Sequence, residues 1–331
     1  MTQDYREQEA LGDVTRVVCT GGAGFLGRGI LRRVMRGDLH WEVTVYSRDE
    51  TKQDECRRRY GFANYVLGDV RDVARLADVF VGHDTVVHAA ALKYIPEAEI
   101  NAAECVGVNI DGCRNVIAAA KAAGIRRVVA ISTDKACAPV NIYGASKMVM
   151  ERLFADEARR RRSSPSFVCV RYGNIVGSTG SVIPVFHRQA KELGHVRITN
   201  PAMTRFWMSV DDAIDLIVLA LDQQLVKPGA VAIPIVRAMT ILDVARAATR
   251  DDIPIVEIGE RPGEKKDEVL LPYEESFRTI EHLSPRRFFE VLPPGYVPPG
   301  RITPFTVSSD SPESWVTVEE MRQWIADSQL L

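Results

Sequence analysis

The sequence predicts an α/β fold, a Rossmann-like doubly wound parallel sheet with a smaller C-terminal substrate-binding lobe. Short β-branched runs alternate with helical patterns through the first half of the chain, and a glycine-rich turn follows the first run. β-Branched residues favour strands, and regular strand–helix alternation gives parallel strands covered by helices on both faces.

The strand runs, in order from Thr15, are TRVVCT, EVTVYS, ANYVLGD, DTVVHAA, RRVVAIST and SFVCVRYG. After Tyr172 the rhythm breaks into loops around NIVGSTGSVIP, returns for a helix near Val210 to Asp222, and continues with VAIPIV. These breaks assign 1–172 to the Rossmann domain, with 208–236 returning to it, and 173–207 plus 237–331 to the lobe. The proline-rich LPPGYVPPG belongs to the lobe. A cleft between lobe and sheet, beyond the carboxyl ends of the strands, is the expected ligand site.

With 331 residues, 46% hydrophobic and 26% charged, the chain has globular composition, which excludes a disordered or fibrous protein. A formal net charge of -2 gives no electrostatic drive towards nucleic acid or an anionic membrane. The basic runs Arg57 to Arg59 and Arg159 to Arg162 sit where helical patterns end, complementing the helix dipole. The six cysteines form no CxxC pair and fall in apolar patterns, which argues against a zinc site and for buried thiols in a reducing cytoplasm. The opening MTQDYREQEALG lacks the apolar core of a signal peptide, and Ile214 to Leu221 is too short to span a bilayer. A cytoplasmic protein with no membrane or nucleic-acid partner is expected.

Directly after the first strand, TGGAGFLG places Gly21, Gly24 and Gly27 at the spacing of a dinucleotide-binding turn, with Phe25 and Leu26 inside it. The helix that follows points its free amides at a pyrophosphate. At the end of the second strand, Ser47 and Arg48, with Lys52 nearby, suit the 2′-phosphate of NADP, whereas Asp49 is the carboxylate an NAD site would use. Asp69 and Val70 fit an adenine-edge contact. Ala89 and Ala90, after the fourth strand, complete the cofactor wall.

STDKACAPVNIYGASK follows the fifth strand and carries Thr133, Asp134, Lys135, Tyr143 and Lys147. Tyr143 and Lys147 lie one helical turn apart on one face. The neighbouring ammonium and a positive nicotinamide would favour the phenolate, so that Tyr143 can take a hydroxyl proton. Asp134 and Lys135 point further, because eliminating water needs an acid and a base that plain alcohol oxidation does not. Lys135, its pKa lowered by burial and neighbouring positive charge, would remove a sugar C5 proton once C4 is a ketone, while protonated Asp134 gives one to the departing 6-hydroxyl.

At these residues the chain resembles the inverting UDP-N-acetylglucosamine 4,6-dehydratases of the extended short-chain dehydrogenase/reductase family, the type that opens the pseudaminic acid pathway. YSRDETKQ, GDVRD, HAAALKYIPEAE, STDKA with YGASK, VRYGNIVGSTGSVIPVF, MTRFW and GERPGEK resemble family blocks in the same order. The resemblance implies an active centre of Thr133, Asp134, Lys135, Tyr143 and Lys147, and a tightly held NADP reoxidised in each turnover. It places Lys93 and Tyr94 against cofactor and sugar, Asn109 in the proton network beside the cofactor, Asn174 and Val182 near uracil and ribose, Arg205 and Arg261 on the diphosphate, and Glu264 on a ribose hydroxyl. It also implies inversion at C5, since the retaining type is expected to carry Glu where this chain has Lys135, and a homo-oligomer built through helices beside the active site.

Two blocks depart from the family. GEKKDE puts Asp267 where a histidine is expected, and ACAPVN replaces the usual asparagine-proline form. Three rivals share parts of this pattern: a nucleotide-sugar 4-epimerase, which returns hydride to C4; a retaining dehydratase; and a non-catalytic NADP-sensing module, which needs the glycine turn but not Tyr143 and Lys147.

Overall fold

The computed structural model describes residues 14–160, 165–296, 298 and 303–328. The opening dozen residues, Arg161 and Arg162, and part of LPPGYVPPG lie outside the described residues.

Six parallel strands, β1 (Thr15–Thr20), β2 (Trp41–Ser47), β3 (Asn64–Leu67), β4 (Thr85–His88), β5 (Arg127–Thr133) and β6 (Ser166–Tyr172), stand in the order β3-β2-β1-β4-β5-β6. Between them run α1 (Phe25–Met35), α2 (Glu50–Arg59), α3 (Val73–Phe80), α4 (Ile95–Ile100), α5 (Ala102–Val106), a π-helical turn over Gly107–Asp111, α6 (Gly112–Ala123) and α7 (Ile142–Arg160). Helices cover both sheet faces, which is why every residue of β6 is buried and why these strands read as apolar runs. α2 ends on Arg57, Arg58 and Arg59, at the negative end of its dipole.

Beyond β6 come β7 (Asn174–Ile175), α8 (Val182–Leu193), β8 (Val196–Ile198), β9 (Thr204–Met208), α9 (Val210–Leu221) and β10 (Val231–Pro234). The chain continues through β11 (Arg237–Thr240), α10 (Ile241–Ala248), β12 (Ile255–Glu257), β13 (Val269–Leu271), α11 (Tyr273–Ser276), β14 (Thr279–His282), β15 (Phe288–Val291), β16 (Val307–Ser308) and α12 (Val318–Ser328). β10 joins the main sheet parallel to β6. The lobe has its own core, in which Phe186, Trp207, Met239, Val244 and Met321 pack together.

The expected boundary of the lobe needs one correction. Residues 279–291 are not lobe: β14 and β15 form an antiparallel hairpin that pairs with β10 and completes a 9-stranded sheet. Without it β10 would present a bare row of backbone donors and acceptors, and the hairpin satisfies that edge while burying Phe288 and Val291.

Candidate active site

A cleft of about 1080 Å³ opens at the carboxyl ends of the parallel strands, with the lobe as its far wall. At its cofactor end, Gly21, Gly24, Phe25, Leu26, Ser47, Arg48, Lys52, Val70, Ala89 and Ala90 all line it. Gly21 has φ +72°, and a Cβ there would stand 2.8 Å from the Ala90 backbone nitrogen. Gly27 is set back from the wall, where a Cβ would meet the Gly22 carbonyl at 2.0 Å, so its role is to close the turn against the helix. α1 starts at Gly24 with no side-chain cap, which leaves its first amides for an anion.

The two candidate ribose partners separate. Asp49 caps α2, accepting from the Lys52 amide at 2.9 Å, and its other oxygen pairs with Lys52 Nζ at 2.8 Å. Arg48 is half exposed and only loosely paired, 3.5 Å from Asp69 and 3.6 Å from Glu104. Asp69 does not line the cleft; its carboxylate grips Arg71 at 2.6 Å and its carbonyl accepts from Tyr46 Oη at 2.8 Å. Asn109 also stands behind the wall. It clamps the backbone of Leu92 through bonds of 2.8 and 3.0 Å and donates to Ser146 Oγ at 2.9 Å, so it shapes the cofactor wall without facing it.

At the chemical end, β5 delivers Thr133 and a 3-10 turn presents Asp134 and Lys135, while α7 carries Tyr143 and Lys147. Asn141 caps α7 by accepting from the Gly144 amide at 2.8 Å, and it ties the helix to the Gly263 carbonyl at 3.0 Å. Thr133, Lys135 and Tyr143 line the cleft; Asp134 does not. Its carboxylate is 0% exposed, with Oδ1 accepting from Thr133 Oγ1 at 2.8 Å and from Lys135 Nζ at 3.0 Å. The expected direct contact of Asp134 with the sugar is therefore corrected: the turn after β5 points this side chain inward, and it reaches the cleft through its two neighbours.

The electrostatics differ from expectation at three groups. Burial opposes the charge on Lys135, but the Asp134 and Glu268 carboxylates outweigh it and hold the ammonium above the usual lysine range, the reverse of the expected lowering. Burial pushes the Tyr143 phenol up to about 12, against the pull of Lys135 and a hydrogen bond with Thr133. Lys147, expected beside the phenol, donates instead to the Ile131 carbonyl at 2.7 Å, and burial lowers it to about 8. The cation that acts on Tyr143 is thus Lys135.

Lys93 and Tyr94, expected against cofactor and sugar, and Asn174, Val182, Arg261 and Glu264, expected towards the nucleotide, all line the cleft. Desolvation between the cleft walls lowers the Lys93 ammonium. Arg205 lines the cleft as well, but its buried guanidinium also donates to the carbonyls of Thr204, Lys265 and Lys266 at 2.7 to 2.9 Å, so it clamps the 264–268 loop. Asp267, the departure from the family block, accepts from Thr204 Oγ1 at 2.6 Å outside the cleft lining, so the substitution serves that same clamp.

The profile of the polysaccharide biosynthesis protein family matches residues 17–288. The chain belongs to this family. It is 37% identical over 269 residues to the UDP-N-acetylglucosamine 4,6-dehydratase (inverting) of Campylobacter jejuni, covering 80% of each chain. It is also 37% identical over 270 residues to the UDP-glucose 4-epimerase of Rickettsia felis, covering 78% of each. The X-ray structure of Pen from Bacillus thuringiensis superposes with a TM-score of 0.86 at 32% identity, covering 96% of this chain and 99% of that one. The protein is a nucleotide-sugar-modifying enzyme of the short-chain dehydrogenase/reductase type, a dehydratase or an epimerase.

Within this family setting, three residues went unnoticed in the sequence. Glu268 lines the cleft and stands 3.3 Å from Lys135 Nζ. Its only signal was its place at the end of GEKKDE. Arg188 and Arg197 line the lobe wall, exposed and without a side-chain partner among the described residues.

Proposed function

We propose that the enzyme is an NADP-dependent UDP-N-acetylglucosamine 4,6-dehydratase that inverts C5. The observation carrying this is the pair at the end of β5, Lys135 Nζ on the cleft wall and 3.0 Å from Asp134 Oδ1. Moving one proton within that ion pair, from Lys135 to Asp134, yields an amine base and a carboxylic acid at no change in total charge. Elimination of water requires both forms together.

The residues at the glycine turn fit a nicotinamide dinucleotide, because Gly21 lets the turn close against the Ala89–Ala90 backbone, both sides line the cleft, and α1 offers uncapped amides there. The 2′-phosphate form is favoured by a loosely held Arg48 and by Asp49 being engaged as a helix cap. The bound dinucleotide would supply a hydride acceptor and donor. Tyr143, once its own proton has passed to solvent under the pull of the Lys135 ammonium and of the positive nicotinamide a bound dinucleotide would supply, would take the proton of the 4-hydroxyl, and the C4 ketone then acidifies the neighbouring C5 proton for Lys135. A proton held on Asp134 reaches the departing 6-oxygen through Thr133, whose hydroxyl touches both Asp134 and Tyr143. Arg261, Arg188 and Arg197 suit the diphosphate, with Asn174, Val182 and Glu264 towards the nucleoside.

Incubating the purified enzyme with UDP-N-acetylglucosamine and weighing the product by mass spectrometry tests this reading: loss of one water is expected. A product of unchanged mass, altered only at C4, would instead favour the second reading, a 4-epimerase, which the equal identity to the Rickettsia felis enzyme supports. Running the reaction in heavy water and reading the C5 configuration by NMR tests inversion.

A further inference from the structure

We infer that Glu268 is a positioning residue for the elimination step, its carboxylate holding the Lys135 ammonium at the cleft wall together with Asp134. This rests on the reading of Lys135 as the base. Lys135 Nζ lies 3.0 Å from Asp134 Oδ1 and 3.3 Å from Glu268 Oε1, so one cation bridges two carboxylates from distant parts of the chain.

Glu268 is fixed in place. It is 2% exposed, and its backbone exchanges bonds of 2.8 Å with Ser309, one from the Glu268 amide to Ser309 Oγ and one from the Ser309 amide to the Glu268 carbonyl. Ser309 Oγ is in turn 2.7 Å from Thr204 Oγ1, on the strand that carries Arg205. The Lys265 ammonium, 3.6 Å away, and Arg205 Nε, 4.0 Å away, compensate the buried charge. A buried carboxylate on so tethered a backbone, 3.3 Å from Lys135 Nζ, orients the lysine beside it and favours its charged form, and so sets how Lys135 and Asp134 share their proton.

Competitive acetylation of the intact enzyme with acetic anhydride, read by mass spectrometry, measures this without any substrate, because only the neutral amine reacts. Lys93, in the same cleft and shifted by burial alone, serves as the reference. At about pH 8, Glu268→Gln is expected to raise Lys135 labelling relative to Lys93 by roughly tenfold, one pKa unit in the neutral fraction. Glu268→Asp, which keeps the charge, is expected to restore most of the native value. If Glu268→Gln does not fold, Lys265→Met decides, since removing a competing cation is expected to slow Lys135 labelling. Labelling equal to native in the variant that folds overturns the inference. Absence of dehydrated product from the native enzyme, with the labelling difference intact, overturns the proposed function and leaves the Glu268–Lys135 pairing standing.

Discussion

Thr133 Oγ1 donates to Asp134 Oδ1 at 2.8 Å, and through that contact a fully buried carboxylate reaches the wall of the cleft. Thr133→Val keeps the branched shape and removes the relay. Dehydration of UDP-N-acetylglucosamine is expected to slow by about a hundredfold or more, the usual worth of a positioned proton-transfer group. Stability should drop by about 1–3 kcal/mol, because Asp134 loses a buried partner. Steady-state rates and denaturant melts check the two halves separately.

Burial pushes the Tyr143 phenol up to about 12, against the pull of Lys135 and Thr133. Tyr143→Phe is expected to slow turnover by roughly 10²–10⁴-fold while leaving the melting temperature close to native, because the ring still fills its buried place. Product formation alongside a thermal melt tests this. A variant retaining near-native turnover would remove Tyr143 from the chemistry.

Arg48 holds its acidic neighbours only at 3.5 and 3.6 Å and is free to turn towards a phosphate. Arg48→Ala is expected to weaken NADP binding by about tenfold, the scale of one charge-assisted contact of about 1.5 kcal/mol, with NAD binding unchanged. Titration calorimetry with both dinucleotides reads the ratio.

His88 is buried at the end of β4, with Nδ1 2.8 Å from Thr20 Oγ1, and desolvation followed by the nearby Lys147 charge lowers it from 6.5 to about 3. Between these values the unfolded chain binds a proton that the folded protein refuses. Stability is therefore full above about 6.5 and falls as the pH drops towards 3, by roughly 5 kcal/mol if the whole shift is realised. Unfolding free energies across this range should show the slope in the native protein and a shallower one in His88→Asn.

Ala138 has φ +41°, in the left-handed region that alanine disfavours and asparagine tolerates. It stands in the loop where the family pattern has its asparagine-proline form. Ala138→Asn is expected to raise stability by about 0.5–1 kcal/mol, with turnover unchanged. Chemical denaturation would show the gain as a higher midpoint.

Much of the fold was legible because its signals are local. β6 reads as an apolar run since helices cover both of its faces, and Gly21 marks the turn since only glycine leaves room beside Ala90 at that φ. Thr133 through Lys147 could be grouped because a strand end, a short turn and one helix carry them all. The β14–β15 hairpin escaped notice because its apolar residues reveal neither strand direction nor the sheet edge they complete.

The sequence by itself determined the sheet, the glycine turn and which residue types gather at the end of β5, since backbone propensity and side-chain period act over neighbouring residues. Only the tertiary structure decided the charge on Lys135 and the engagement of Arg205 with the 264–268 loop. Those depend on distances between segments far apart in the chain, as between Lys135 and Glu268. Coulomb interaction, desolvation and hydrogen bonding respond to proximity in space, which no spacing along the chain encodes.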